Sequence, residues 1–423
     1  MGADVLLFVL IMSLAGSALG TFTGLVPGIH VNTLAAVMLA SYPAVSSVTE
    51  GFAPPEYVPV MVSACIVSAS VVHSFVDFIP SVFIGAPDAD EALTMLPGHR
   101  LLMDGRGMAA VRAAAAGSAV GAFFSVLLSV PFQYLMIEGL AGIMDEITIF
   151  VVITVSFVIV FSASDLWDRL LAASLFAASG VLGLACSYTG IPSSGILCEG
   201  TLLFPMLTGL FGIPPLLESA GTAGIPEQTD DEESVGILPG LKGVVTGCIA
   251  GWFPGITAAA GAALSAAVTK EESPEKFISL VASIGTVTSV FSIVTLSVTG
   301  SGRSGTSAVI KEIIGDGLSG FCSSDFLLLL TAVCCAAALG YAVTLAAGKG
   351  ISKIAGNADA GKMNRYAFVL IVSLVFLMTG AGGLAVLALS SLLGLVPQRE
   401  GISRIPLTGC LMLPVIVSGL GLL

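Results

Sequence analysis

No lysine or arginine precedes Arg100. In that stretch, and in most of the chain after it, apolar residues run on for about the 20 positions that cross a bilayer. Over the 423 residues, 10% are charged, 56% are apolar and the mean hydropathy is +1.02. A soluble globule needs about a quarter of its residues charged to cover its surface. A secreted soluble enzyme, a disordered scaffold and a nucleic-acid binder are therefore excluded, the last also by the net charge of −13. The chain reads as a multi-pass protein of the cell membrane, in contact with lipid.

Continuous apolar runs argue against an outer-membrane barrel, whose strands alternate. The 50 glycines and 20 prolines suit helices that pack closely or break around a substrate. The expected class is all-α, with re-entrant or broken helices and roughly 10–14 membrane elements. Met1–Gly20 lacks the basic start of a signal peptide and leads straight into a Gly/Pro motif, so it reads as the first membrane helix. The eight cysteines lie singly or as one adjacent pair, without metal-ligand or disulfide spacing, and read as small packing residues. No metal site is expected.

Apolar elements fall near 4–26, 28–47, 57–80, 107–136, 147–163, 170–186 and 200–217. After an acidic stretch containing Thr229-Asp230-Asp231-Glu232-Glu233, others fall near 237–253, 255–270, 277–300, 322–347, 366–378, 380–397 and 401–423. Gly20–Ile29 and Gly247–Ile256 both read G-x-x-x-G-x-x-P-G-I, each after one apolar element. Ile84-Gly85-Ala86-Pro87 pairs more weakly with Thr299-Gly300-Ser301-Gly302, and Gly200-x4-Pro205 with Gly401-x4-Pro406. Three matches in one order predict a duplication: transmembrane repeats at 1–217 and 236–423 around an acidic linker at 218–235.

Basic residues cluster at 100–112, 169, 270–276, 349–365 and 399–404, which places these loops in the cytoplasm; loops 48–56 and 137–146 have none and lie outside. The loop after the first P-G-I element is thus external and its counterpart, with Lys270 and Lys276, internal. An odd number of elements per repeat gives the same result, so two inverted-topology repeats are expected.

Pro-Gly pairs inside a membrane free backbone groups that need partners other than lipid, and the next half-helix offers N–H donors to an anion. After Pro27-Gly28 come the polar His30, Asn32 and Thr33; after Pro254-Gly255 come Thr257 and a run of alanine and glycine. A single such pair is more often a plain kink; two related copies point to a substrate site. Gly300-Ser301-Gly302-Arg303-Ser304-Gly305-Thr306 suits a carboxylate or phosphate, because glycine allows backbone approach and hydroxyls and guanidinium donate. The plainer reading is a flexible loop whose Arg303 reaches the interface. Asp88 and Asp90 are candidates for a coupling cation or proton, or else cap a helix starting near Glu91. Asp77 is a third candidate, since a carboxylate inside a span is costly, and His73 stands four residues earlier on the same face. A position near the wet membrane edge is the alternative. Pro97-Gly98-His99-Arg100 reads as a cytoplasmic turn. No Walker motif, Ser–His–Asp set or metal cluster is present, so the chain is read as no enzyme.

Gly24–Ile29, Gly251–Ala259, Val298–Ala308, and Ile84–Asp90 with Gly105-Arg106-Gly107 resemble the signature blocks of the large membrane subunit of tripartite tricarboxylate transporters. Pro27–Thr33 and Leu96–Leu102 are similar to the archaeal branch of that family. The resemblance implies ion-coupled uptake, with Na+ or H+, of a small carboxylate such as citrate. It also implies an extracytoplasmic binding protein and a small membrane subunit as partners. The chain departs from the bacterial pattern at Ile256-Thr257 and at Thr299–Arg303, so the resemblance speaks to fold more than to substrate. Two other classes compete: a translocase for an anionic lipid carrier such as a polyprenyl phosphate, whose phosphate would meet Arg303, and a membrane scaffold or sensor. A scaffold has no need of polar, glycine-rich breaks at matching positions.

Overall fold

The computed structural model describes residues 3–26, 31–49, 53–84, 93–161, 163, 165–196, 202–218, 226–229, 235–252, 258, 261–262, 265, 273–300, 302, 304–355 and 360–422. Among these there is no β-strand, and seven helical segments are long and apolar enough to cross a membrane. The first half holds α1 (Ala3–Leu25), α2 (Val31–Ala40), α3 (Tyr42–Thr49), α4 (Val58–Val76), α5 (Phe78–Ile84), α6 (Met95–Met103), α7 (Gly107–Leu135), α8 (Ala141–Phe161), α9 (Leu166–Tyr188), α10 (Leu203–Leu207) and α11 (Ile213–Glu218). The second holds α12 (Leu238–Trp252), α13 (Pro274–Thr299), α14 (Gly305–Ile314), α15 (Ser324–Ala355), α16 (Ala360–Glu400) and α17 (Gly409–Gly419).

Local chemistry sets the breaks. Proline at position 80 cannot donate to the Val76 carbonyl, and the helix is interrupted at Asp77 between α4 and α5. The expected single element at 28–47 is likewise two helices, parted at Ser41 just before Pro43. The stretches expected at 366–378 and 380–397 run together as α16, kinked where Gly380 takes φ 65°. Helix α13 has Pro274 in its first turn, a Ser273 cap accepting from the Lys276 N–H at 3.3 Å, and left-handed Gly300 at its end.

Among the described residues, the main core is built on the long helices α1, α4, α7, α12, α13 and α15, joined by α5, α6 and α14, with α4 enclosed by protein almost throughout. Small residues let their backbones approach. Gly16 and Gly20 face the carbonyls of Cys65 and Ala69, and Gly24 that of His73. In the same way Gly243, Gly247 and Gly251 face the carbonyls of Leu280, Ile284 and Thr288. Both sets ascend together, so α1 runs parallel to α4, and α12 to α13.

Further contacts fix the remaining directions. Ser13 Oγ bonds Ser68 Oγ at 2.6 Å and donates to the Ala332 carbonyl at 3.2 Å, while Gly340 lies on Phe75. Helix α15 is therefore parallel to α1 and α4. Gly117 and Gly121 face Ser279 and Ser283, and Gln133 Nε2 donates to Ser297 Oγ at 2.9 Å, so α7 is parallel to α13. Gly348 meets Val111 while Cys334–Tyr341 lies along Ala119–Leu127, so α15 is antiparallel to α7. The core thus comprises α1, α4 and α15 pointing one way and α7, α12 and α13 the other. Helices α4 and α13 cross between the sets, where Ser74 Oγ and Thr286 Oγ1 lie 3.2 Å apart.

Part of the expected linker is docked. Gln228 accepts from the Gly107 N–H at 2.9 Å and donates to the Leu102 carbonyl at 3.1 Å, and the Thr229 N–H donates to the Gly105 carbonyl at 2.8 Å. Arg106 beside them pairs with Glu275 in the first turn of α13 at 2.8 Å.

Candidate functional site

Ser304 caps the N-terminus of α14, and Gly302 lies against the first turn of that helix. Gly302 passes so close to Ala308 that a methyl group there would strike its backbone nitrogen. The Ser304 N–H donates to Ser307 Oγ at 2.8 Å and Ser304 Oγ accepts from the Ser307 N–H at 3.2 Å, a reciprocal cap. Ser304 Oγ also lies 2.9 Å from Thr306 Oγ1.

Onto this turn comes α2, the helix that follows the first Pro-Gly pair. The Thr306 N–H donates to Asn32 Oδ1 at 3.0 Å, and the Asn32 side chain packs on the Gly305 backbone. Asn32, Gly302, Ser304 and Thr306, expected as site residues from opposite ends of the sequence, are thereby brought to one place. Gly300 caps α13 one turn away, near Lys311. An amide oxygen on a helix-terminal N–H occupies a position that a carboxylate oxygen would also favour. Pro27, Gly28, His30, Pro254, Gly255, Thr257, Ser301, Arg303, Asp88 and Asp90 lie outside the described residues, and Thr33 is described as part of α2 without its side chain.

Asp77 belongs to a polar cluster with His73 and Thr23. It is 6% exposed and His73 5%, with His73 Nε2 3.8 Å from Asp77 Oδ2. His73 Nδ1 lies 3.0 Å from Thr23 Oγ1, which also donates to the Gly20 carbonyl at 3.1 Å. Thr23 was missed in the sequence; its place between Gly20 and Gly24, on the face that packs against α4, was the available signal. Gln133 was missed too, although an amide in an apolar run signals a buried polar bridge. It accepts from the Cys322 N–H at 3.0 Å as well as binding Ser297, tying the 320–322 loop to the end of α13.

His99, in the expected cytoplasmic turn, is half-buried in α6, and its partial burial lowers its pKa below the ordinary histidine value. A cavity of about 340 Å³ lies beside Pro97, Phe211, Phe277 and Arg404. Arg404 donates to the Phe211 carbonyl at 3.3 Å and also bonds Gln398, so its guanidinium ties the 398–405 turn to the helix at 211. A larger cleft, about 610 Å³, runs between α7 and α15 and is lined by Ala119, Phe123, Val126, Ala338 and Tyr341, a face suited to lipid chains. Among the described residues no group of His, Cys, Asp and Glu could hold a metal.

Fold and polar junctions together define a multi-pass helical membrane protein with interrupted helices. Residues 10–409 match the tripartite tricarboxylate transporter TctA family, and the chain belongs to that family. An uncharacterized protein of Methanocaldococcus jannaschii, MJ1079, is 31% identical over 312 residues, covering 71% of this chain and 72% of that relative. No solved structure matches. The family is a membrane component of tripartite tricarboxylate transporters, a transporter subunit rather than an enzyme, which works with a binding protein and a small subunit.

Proposed function

We propose that the chain is the translocating subunit of an ion-coupled secondary transporter for a small di- or tricarboxylate. The substrate lies between two inverted repeats, 1–217 and 236–423, at the half-helices that follow Pro27-Gly28 and Pro254-Gly255. The observation that carries this reading is the Asn32–Thr306 bond, which joins the helix after the first Pro-Gly pair to the capped turn after Gly300. The opposed directions of α1 and α12, of α4 and α13, and of α7 and α15 support the inversion. So does the glycine register. Continued from His73 on Thr288, it sets Ile84-Gly85 on Thr299-Gly300, the pairing that the sequence suggests. Na+ or H+ drives uptake, and an extracytoplasmic binding protein and a small membrane subunit deliver the anion. The carboxylate is favoured over a polyprenyl phosphate by the family.

An anion taken from water into this interior exchanges hydration for fixed donors: the N–H groups of α2 and α14, the hydroxyls of Ser304 and Thr306, and the Arg303 guanidinium. Citrate titrated calorimetrically into the purified protein tests this. Arg303→Ala should weaken binding by roughly 1.5–3 kcal/mol, the range for a hydrogen bond to a charged group. Arg303→Lys should recover part of that, since the planar fork is lost. Unchanged affinity in a folded Arg303→Ala protein removes the arginine from the site.

A further inference from the structure

We propose that α8–α11 with α16 and α17 form a second bundle, which swings against the core about the turn between α7 and α8, with Trp252 as its bearing. That the swing serves transport rests on the secondary-transport reading. The apolar cores of the two bundles are separate. The main cluster draws its residues from 5–132 and 235–351. Three others join α8–α11 to α16 and α17: Met206 and Leu210 with Val386, Ile213 with Val375, and Val152 with Met412. Hydrogen bonds follow the same division. Ser13–Ser68, Ser74–Thr286 and Gln133–Ser297 tie core helices to one another. In the second bundle Ser179 Oγ donates to the Pro406 carbonyl at 3.5 Å, and Ser390 Oγ to that of Pro205 at 3.3 Å. Among the described elements, the principal contacts between bundles are α5 with α16 and the turn that joins α7 to α8.

That turn, Met136–Leu140, has the build of a hinge. It is wound as a π-helix, and inside it Gly139 leaves the helical region at φ 119°, ψ −8°. A π-turn interrupts the regular ladder, and this φ is open to glycine at little cost. Among the described residues no neighbouring element comes within 4 Å of a Cβ built at Gly139, so nothing beside the turn holds it in one shape. Trp252, fully buried, packs against the turn with Phe132, Met136, Leu140, Met144 and Val298. Phe132 meets the indole edge to face at 5.9 Å. Val151 of α8 belongs both to this cluster and to that of Val152 and Met412, so the joint touches both bundles. Trp252 Nε1 is buried without an acceptor. The indole is therefore held by apolar contact, which is non-directional, and not by a hydrogen bond that would fix its angle. Trp252 also ends α12 two residues before Pro254, so a change at the second Pro-Gly pair reaches the joint directly.

The gap between the bundles lies at the other end of the core helices. The cavity of about 340 Å³ takes Leu93, Pro97 and Phe277 from the core and Phe211, Pro397 and Arg404 from the second bundle. Phe277 stands in the first turn of α13, and Val298, at the joint, in its last. About 30 Å of helix separates them, so a swing of about 10° moves the cavity walls by about 5 Å. Lys276, Arg399 and Arg404 put the cavity on the side that loop charge assigns to the cytoplasm. Parting the walls opens a way between the bundles towards that side and closing them shuts it, which is one half of alternating access.

Pulsed EPR on the full chain in lipid, with spin-labelled amino acids built in at exposed positions, tests the swing without transport. Lys276 and Arg399 stand on opposite bundles; Lys276 and Glu312 both belong to the core. The first pair should give two distances, or one distribution wider than the second pair's by about 5 Å, as the arm of α13 requires. Gly139→Ala, strained at that φ, should displace the first pair and leave the second. Trp252→Phe keeps an aromatic ring and should leave both as in wild type, whereas Trp252→Ala should widen the first. A first pair as narrow as the second and unmoved by Gly139→Ala overturns the proposal. Trp252→Phe behaving as Trp252→Ala does overturns the bearing. With radiolabelled citrate in proteoliposomes, Gly139→Ala should slow uptake at least about tenfold while calorimetric affinity for citrate is kept. Lost affinity with unmoved distances overturns the hinge. Citrate neither bound nor carried, with the distances as expected, removes the transport reading and leaves the swing standing.

Discussion

Adding one methyl group at two glycines should shift stability in opposite directions. At Gly20 a Cβ would run into the backbone carbonyl of Ala69, which cannot rotate away as a side chain could. The α1–α4 contact must open by about 1 Å, and such overpacking costs about 1–3 kcal/mol. Opening also strains the Ser13–Ser68 bond of 2.6 Å in the same interface. Against this, alanine favours a helix over glycine by about 0.8–1 kcal/mol. The net effect of Gly20→Ala is a loss of up to about 2 kcal/mol. At Gly285, inside α13, a Cβ meets nothing within 4 Å, so only the helix preference remains and Gly285→Ala should stabilise. At about 2 °C per kcal/mol for a large domain, Tm should fall by up to about 4 °C in the first variant and rise by about 1–2 °C in the second. Thermal unfolding of both purified proteins in one detergent measures the difference. Equal shifts of the same sign would refute the argument that backbone contact, not helix preference, fixes Gly20.

Gln133→Leu should destabilise by about 1–3 kcal/mol, because the half-buried Cys322 N–H loses its acceptor; hydrogen exchange at that amide should quicken, and unchanged protection would contradict the bridge. His99 gives a pH dependence with a definite sign. Its folded pKa is depressed by burial, so the unfolded chain binds the proton first; stability is full above about pH 6.5 and declines as pH falls through the folded pKa. His99→Gln should flatten that part of the stability curve, and an unaltered slope would assign it to other groups. Cysteines placed at Glu56 and Lys276 should react with an impermeant thiol reagent from opposite sides of the membrane, since α4 and α13 are antiparallel; labelling from one side would contradict the inversion.

Membrane class, helical content and most helix positions were legible because each depends on local composition. The glycines spaced by four read in the sequence only as the mark of a repeat; the structure shows that Gly16, Gly20 and Gly24 also set the face of α1 that packs closely on α4. Partners were less legible. Asn32 and Thr306 are 274 residues apart, and nothing in either neighbourhood says that one will cap the other. Gln228 sits in a stretch whose acidity suggests a solvated tether, yet its amide matches the turn at Leu102–Gly107. The break at Asp77 follows from Pro80, but a proline in a membrane helix can bend it or interrupt it, and which occurs depends on the neighbours that take up the freed groups.

Uptake of radiolabelled citrate and a panel of di- and tricarboxylates into proteoliposomes, with any partner subunits encoded beside the gene included, tests the central claim most directly. The account predicts saturable, gradient-driven accumulation of at least one carboxylate. It also predicts that Arg303→Ala and a bulky Gly305→Leu at the Asn32 contact each depress it at least about tenfold, the equivalent of about 1.4 kcal/mol. Folded, reconstituted protein that accumulates none of them, or that accumulates one equally well with both substitutions, would contradict it.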